Sequence, residues 1–410
     1  MRTFISACLL AAFCSTSSIA QTLEPGTAGA PPAPSTPPAE QTPQPAQESW
    51  FQPFAIVVAN ATFNAKTLVP GSVAYFAAPD ADLNTGQFNV SGANTFFGAD
   101  LKGPKVGNYQ VNAKIDLNLR GSTPISNQNL FEPLFGDVYL EFKSEDFRFL
   151  MGQTADVISP LSPTTLNFYP LSYAPGSLGF FRPMIRAETY LPMRNDAQLT
   201  VQAALASAIQ TFRIPNEAFA RQSGWPDGQL RVAYGVGQPN DMGSRPTEFG
   251  VWSHFGRRDL TYTDLTEHFR NTYSIGFDGK AAIGSTTKVQ GEFFFGQLLG
   301  DYMGGVFQSF NPNTGNSVAA KGGWAEVEQK FGEAYRVHIG YGVDNVDEQD
   351  VTVVTSRRQN TALYANVFYD LTPALSIAGE LALWRTQYFG DLSATPTRLE
   401  FSVIYKFLGR

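Results

Sequence analysis

Three histidines, two cysteines and a scatter of arginines and carboxylates are the groups with which this chain could do chemistry. His254, His268 and His338 are isolated from one another, so no His-based metal spacing is present. Nucleophile-elbow, phosphate-loop and dinucleotide signatures are not found either. A Ser/His/acid trio drawn from distant strands around His254 or His338 would make an embedded hydrolase. A histidine satisfied inside a polar interior is the plainer reading. Cys8 and Cys14 both precede residue 20 and no cysteine follows. That excludes disulfides and thiolate metal sites beyond the N-terminus and suits passage through an oxidising compartment. The expectation is a protein without catalytic centre, metal or cofactor.

The charged groups are the remaining candidates, and their meaning depends on the elements that carry them. Charged residues are only 16% of the 410, against roughly 25% in ordinary globular chains, while aromatics reach 13%. There are 37 Gly and 33 Phe, and the mean hydropathy is −0.15. Beyond the N-terminus no apolar run nears the ~18 residues of a spanning helix. The formal net charge of −7 argues against nucleic acid as a partner, since phosphate binding needs a basic surface.

Residues 1–20 read as a signal peptide: Arg2 supplies the positive start, Phe4–Phe13 the apolar stretch, and Ser18-Ile19-Ala20 the small residues before a cut ahead of Gln21. A lipoprotein cut at Cys8 would leave too short an apolar stretch. Residues 21–49, rich in Pro, Ala, Thr and Gln, cannot bury enough surface to fold and are expected to be disordered.

From residue 50 to 410 short alternating runs recur, closed by Gly, Pro, Asn or Asp. Tyr109, Val111, Ala113, Ile115, Leu117 and Leu119 alternate with Gln110, Asn112, Lys114, Asp116, Asn118 and Arg120. Leu399, Phe401, Val403, Tyr405 and Phe407 alternate in the same way near the C-terminus. Period two over this length puts one face in oil and the other in water, and about 9–11 tilted residues cross a bilayer. Strands are expected over 54–64, 87–101, 107–120, 134–143, 147–155, 180–192, 197–207, 228–237, 247–258, 271–284, 287–300, 319–331, 335–345, 359–371, 375–389 and 397–408. This is an all-β fold, a transmembrane antiparallel β-barrel of about sixteen strands. Connections alternate tight (Lys143–Asp146, Met193–Asp196, Gly284–Thr287) and long (Thr154–Phe180, Ser207–Asp227, Asp301–Ser317), the rhythm of short periplasmic turns and longer outer loops. Tyr109, Phe142, Tyr190, Phe331, Tyr335, Tyr369 and Phe407 fall near strand ends and read as interfacial girdles.

Thr154–Phe180, the third outer loop on this count, holds one acidic residue, Asp156, and no basic one. A loop so apolar is poorly placed in free solvent, so it is the candidate constriction inside the lumen; a loop lying over the rim is the alternative. Alternation places Arg148, Arg182, Arg186 and Arg231, with Glu188, on the inward faces of the fifth, sixth and eighth strands. Later strands turn Asp278, Glu292, Glu326, Glu328, Glu380 and Glu400 inward. A basic wall facing an acidic wall would give a transverse field that orients polar solutes and concentrates anions. Cross-strand pairing of the same charges is the equal alternative.

Phe149-Leu150-Met151-Gly152-Gln153-Thr154, then Pro163-Thr164-Thr165-Leu166-Asn167-Phe168, then Gly179-Phe180-Phe181-Arg182-Pro183-Met184-Ile185-Arg186, resemble the DcaP-like trimeric porins, where a "GQT" strand end, a long loop and an "R-x-x-x-R" strand stand in that order. The resemblance is close over about 40 residues and architectural elsewhere. It implies a sixteen-stranded homotrimer, one pore per subunit, and a preference for negatively charged small molecules such as dicarboxylates, with Arg182 and Arg186 at the basic positions. Two departures stand out. A Pro-rich tract replaces the coiled coil often found N-terminally in that family, and Leu408-Gly409-Arg410 run on past the last aromatic. The expected function is passive diffusion of small hydrophilic solutes through the outer membrane, in contact with its lipid and lipopolysaccharide. A structural or adhesive barrel using its long loops is the second reading.

Overall fold

The computed structural model describes residues 50–407 except 71–72, 80–84, 120–133, 210–220, 241–242, 261–267, 354–355 and 391; the expected leader, Pro-rich segment and C-terminal tail lie outside the described residues. Sixteen antiparallel staves close on themselves. They are β1 (Trp50–Asn64), β2 (Gln87–Ser91, resumed over Phe96–Val106), β3 (Tyr109–Asn118), β4 (Leu134–Lys143), β5 (Phe147–Ala155) and β6 (Phe181–Pro192). Next come β7 (Ala197–Ala206), β8 (Asp227–Val236), β9 (Thr247–Asp259), β10 (Phe269–Ile283) and β11 (Thr287–Gln297). The circle is completed by β12 (Ala319–Phe331), β13 (Tyr335–Val346), β14 (Arg357–Thr372), β15 (Leu375–Tyr388) and β16 (Thr397–Phe407). β16 pairs with β1 from Ala55↔Phe407 to Asn64↔Arg398, so no edge is left open.

The barrel is inside out relative to a soluble core. Along β16, Phe401 keeps 50% of its surface exposed while Ser402 beside it keeps none. Outward chains are apolar and inward ones polar, as lipid outside and water inside require. The expected strands stand within a few residues of their observed bounds, with one informative exception. β2 was expected over 87–101, but it breaks at 92–95 and then runs on to Val106. Its pairing with β3 slips between Lys102 and Lys105, because Pro104 has no N–H to give the ladder and is accommodated at a bulge. Gly107, with φ of 58°, takes the left-handed place in the turn that follows. Tyr190 is also reassigned. It shares the lumen face of β6, where its hydroxyl donates to Glu188, so it is no girdle residue.

The loop end of the lumen is partly filled. Leu68, Phe76 and Ala77 from the β1–β2 connection, Tyr173 and Ala174 from the β5–β6 loop, and Met303, Val306 and Phe307 from the β11–β12 loop form one apolar cluster against Tyr364 and Trp384 of the wall. The wall makes room by thinning. On β9, Gly250 lies beneath the guanidinium–carboxylate pair of Arg231 (β8) and Asp278 (β10), whose closest approach is 2.5 Å. A methyl group on Gly250 would stand 2.5 Å from Asp278 Oδ2 and 2.8 Å from Arg231 Nε. Gly250→Ala is therefore expected to force this pair apart and destabilise the folded barrel by about 1–3 kcal/mol. Urea unfolding followed by the heat-dependent gel shift measures this, and an unchanged midpoint would remove the flat pair as the reason for the glycine.

Candidate constriction and the lumen charges

The loop between β5 and β6 folds inward, as the composition of Thr154–Phe180 led one to expect. Its neck is tied first. Asp156 N donates to Phe180 O at 3.0 Å, and the Asp156 carboxylate takes Phe180 N at 2.9 Å, Gln229 Nε2 at 2.5 Å and Arg182 Nε at 2.6 Å. From there the chain walks round the inner wall. Val157 N donates to Gln229 Oε1 on β8 at 2.8 Å, and Leu161 N to Glu292 Oε1 on β11 at 2.7 Å. Thr164 N donates to Glu326 Oε2 on β12 at 2.6 Å, and Leu166 N to Glu380 Oε2 on β15 at 2.7 Å. Asn167 then bonds both backbone groups of Ala74 in the β1–β2 connection, each at 2.8 Å. Pro160 and Pro163 bring no donor of their own, and the N–H groups that follow each of them are the ones the carboxylates take.

These bonds decide what the acidic wall does. Glu292, Glu326 and Glu380 hold the loop by its backbone instead of facing arginines across open water. Glu292 also accepts from Ser159 Oγ, and Glu326 from Gln290 and Tyr364. Asp278 is bound to Arg231, which also meets Glu248 at 2.7 Å, and Glu400 to Arg398 at 2.7 Å. Glu328 meets His338 at 3.3 Å and Lys330 at 3.8 Å.

The arginines are paired as well. Arg182 has no exposed surface; it lies between Asp156 and Tyr302, with the guanidinium 3.7 Å from the ring centroid. Burial drives the Tyr302 phenol well above its ordinary value, so it stays a donor, to Asp227 Oδ2 at 2.8 Å. Arg182 thus locks the loop neck and does not face solute. Arg148 and Arg186 stay partly wetted but share Glu188 at 3.1 and 2.6 Å, and Arg148 also holds Glu141 at 2.5 Å. With Lys114 on Asp116 and Asp137 at 3.1 and 2.5 Å, the wetted wall of β3–β6 sets three cations against four carboxylates. Of the two alternatives the sequence left open, pairing fits this geometry and a bare basic wall does not.

Two cavities meet at the loop. One of about 370 Å³ lies among Phe168, Leu171, Leu178, Phe180 and Arg186. The other, about 640 Å³, opens at the turn end among Arg245, Lys280, Lys288, Lys330 and Glu328. Pro160, Leu161 and Ser162 line both, which puts the narrowing at these three residues. The lysines of the larger cavity were not singled out from the sequence, although the same alternation turns them inward. Lys280 Nζ donates to Ser244 Oγ at 2.6 Å, and Arg245 bonds Gln198 Oε1 and backbone carbonyls. These partners are neutral, and the carboxylates that stand opposite in register are Glu248 facing Lys280 and Glu328 facing Lys288, so the four cations outnumber them and a net positive charge remains.

His254 hydrogen-bonds Ser274 Oγ through Nδ1 at 2.5 Å and Thr272 Oγ1 through Nε2 at 3.0 Å, its ring centroid 4.3 Å from that of Tyr302 and tilted 35° to it. His338 is held by Asn366 at 2.8 Å and by Glu328. Neither presents an accessible base beside a nucleophile. Among the described residues no group of three metal-ligating side chains comes together.

No protein-family model and no curated protein matches the sequence. Solved structures match along nearly the whole barrel. The outer membrane channel DcaP of Acinetobacter baumannii aligns with a TM-score of 0.69 at 14% identity, covering 89% of this chain and 99% of that one. The fold is that of the outer-membrane porins. An anion-selective porin from Comamonas acidovorans shares it at a TM-score of 0.58 and 12% identity, over 88% of this chain and 100% of that one. The trimer form of OmpT, an outer membrane protein of Vibrio cholerae, does so at 0.55 and 9%, over 88% and 99%. Within this porin fold the inward loop is held by bonds whose loss should be measurable. Replacing Glu326 and Glu380 together by Ala leaves the partly buried Thr164 N–H and the buried Leu166 N–H without acceptors, at a cost of about 1–3 kcal/mol for a fully buried group. The expected result is a loosened loop, seen as larger and noisier single-channel steps with a lower unfolding midpoint. Steps and midpoint equal to wild type would show that the loop is held by its apolar contacts alone.

Proposed function

We propose that the protein is a passive diffusion channel of a bacterial outer membrane, working as a homotrimer and favouring small hydrophilic anions. The observation that carries the channel reading is a closed barrel with a polar interior whose inward loop has a cavity on each side, both lined by Pro160–Ser162. The preference for anions rests on the larger cavity. Arg245, Lys280, Lys288 and Lys330 line it with Glu328 as the one carboxylate of its lining, and a like-signed cleft raises the local concentration of the opposite ion. Arg148, Arg186 and Arg231, with Glu188 and Asp278, act as a polar wall along which solutes slide, close to neutral because they are paired. Trimerisation is supported by the fold shared with a trimeric protein. Export by a leader cut ahead of Gln21, and a mature chain beginning with the Pro-rich tract, complete the proposal.

The test uses the refolded full-length mature chain in a planar bilayer under a KCl gradient. Closures in threes with a reversal potential on the anion side are expected. Lys280→Gln with Lys288→Gln should lower the anion-to-cation permeability ratio several-fold. A well-inserted barrel that passes no current would end the channel reading. Current with a ratio unmoved by the double substitution would end only the assignment of selectivity to this cavity.

A further inference from the structure

One connection at the turn end of the barrel is unlike the others. Those others hold two to four residues, Gly284–Thr286 between β10 and β11 among them, whereas Gly237–Pro246 between β8 and β9 holds ten. A short turn suffices to reverse a barrel strand, so the added length has another use. Its last three residues bend toward the lumen and line the larger cavity. Pro246 O accepts from Ala282 N of β10 at 3.1 Å, and Ser244 Oγ from Lys280 Nζ at 2.6 Å. Arg245 lies across Gly235 of β8, where a methyl group would stand 2.7 Å from its Cδ. Its guanidinium is committed to Gln198 Oε1 at 3.0 and 2.6 Å and to Asp196 O at 2.8 Å.

A diagonal row of lysines shares this cavity. Lys280 of β10 faces Gln290 in register, which sets it diagonal to Lys288 of β11. Lys288 in turn faces Glu328, which sets it diagonal to Lys330 of β12. Diagonal neighbours on one face of a sheet lie about 7–8 Å apart, close enough for long side chains from three strands to meet one anion. Lys280 gives one of its ammonium hydrogens to Ser244, and Lys330 stands 3.8 Å from Glu328. No hydrogen bond or ion pair is found for Lys288 among the described residues. Of the nearby carboxylates, Glu328 also meets His338, and Glu248 holds Arg231.

The kind of cation left free selects the kind of anion. A carboxylate presents two coplanar oxygens, which an arginine fork matches, and the arginine lining this cavity is already committed. Lysines are compact point charges with rotatable donors. They suit a tetrahedral group that spreads about two charges over three oxygens, as a phosphate monoester does. Ser162 on the β5–β6 loop and Ser285 and Thr286 in the β10–β11 turn are exposed beside the row. The cavity, about 640 Å³, has the size of a small-molecule site, with room for a hydroxylated body as well as the phosphate.

We propose, on the reading of this cavity as the anion-favouring part of the lumen, that it binds phosphate monoesters of small polyols, sugar phosphates among them. Lys280, Lys288 and Lys330 hold the phosphate, while Ser162, Ser285 and Thr286 meet the hydroxyls. The arm of Ser244–Pro246 closes the site on its β8 side and fixes Lys280 through Ser244.

Isothermal titration of glucose 6-phosphate into the refolded full-length mature protein in detergent tests this without requiring conduction. Succinate, inorganic phosphate and glucose are titrated beside it. The ester should bind about tenfold tighter than succinate or inorganic phosphate, and glucose should not bind. Lys288→Gln with Lys330→Gln should weaken the ester about a hundredfold, roughly tenfold for each charge-assisted bond lost. Lys330→Gln alone, at an exposed position, should give the single tenfold step if the double variant fails to fold. Succinate or inorganic phosphate bound as tightly as the ester, or ester binding unmoved by the substitutions, would overturn the proposal. Tight ester binding to a barrel that passes no current would end the channel reading and leave the site in place. A conducting, anion-favouring barrel in which the ester has no advantage would end the site and leave the channel.

Discussion

A loop that crosses a confined lumen has to find acceptors for its backbone amides, and here it finds them on side chains of the wall. Leu161, Thr164 and Leu166 each give their N–H to a glutamate on β11, β12 or β15. A charged acceptor makes the stronger kind of hydrogen bond, and an amide left bare there would cost most of what the loop gains by packing. The arrangement is selective about position. Prolines remove two donors, the residues after them supply two, and the glutamates stand at the heights the loop reaches. The narrowing at Pro160–Ser162 follows from this, because Ser159 and Leu161 are both tethered to Glu292 and the chain cannot swing away from β11.

The same constraint explains why the lumen charges do so little across open space. Every carboxylate spent on a backbone amide or an adjacent guanidinium is lost to a transverse field. Arg182, fully buried between Asp156 and Tyr302, shows how complete this can be. Truncating one member of such a pair leaves an uncompensated buried charge, which costs more than the pair itself is worth. Its role is to fix the register of the loop neck against β6. A net positive charge remains at the turn end, where Arg245, Lys280, Lys288 and Lys330 outnumber Glu248 and Glu328.

Much of the wall was legible in the sequence because period two over ten residues has one simple physical solution. Tyr109 to Leu117 and Leu399 to Phe407 could be placed outward without knowing any neighbour. The break and bulge in β2 were not legible in the same way, since they depend on how Gly103-Pro104 meets the ladder of β3. Tyr190 lies near a strand end, as a girdle residue would, but its parity with Glu188 turns it into the lumen. The inward position of the third loop could be inferred from its composition. The lumen neighbours that decide which charges are free could not. The pairing of Arg231 with Asp278 skips a strand and exists only because Gly250 between them has no side chain, a three-strand relation that no single run of sequence displays.

That skipped strand shows how this barrel reconciles a filled lumen with a passage. The wall of β9–β13 is thin where loops or rings must lie against it. Trp252 rests on the bare backbone at Gly276, and Tyr364 on that at Gly340, so aromatic bulk is added flat and does not close the bore. Pro175 approaches Gly342 in the same way. The β3–β6 wall, by contrast, carries long paired side chains and stays wet. Bulk is thus gathered on one side of the lumen and polar reach on the other. The paired charges of β3–β6 and the lysines at the turn end are separate features of that lumen, the first close to neutral and the second net positive.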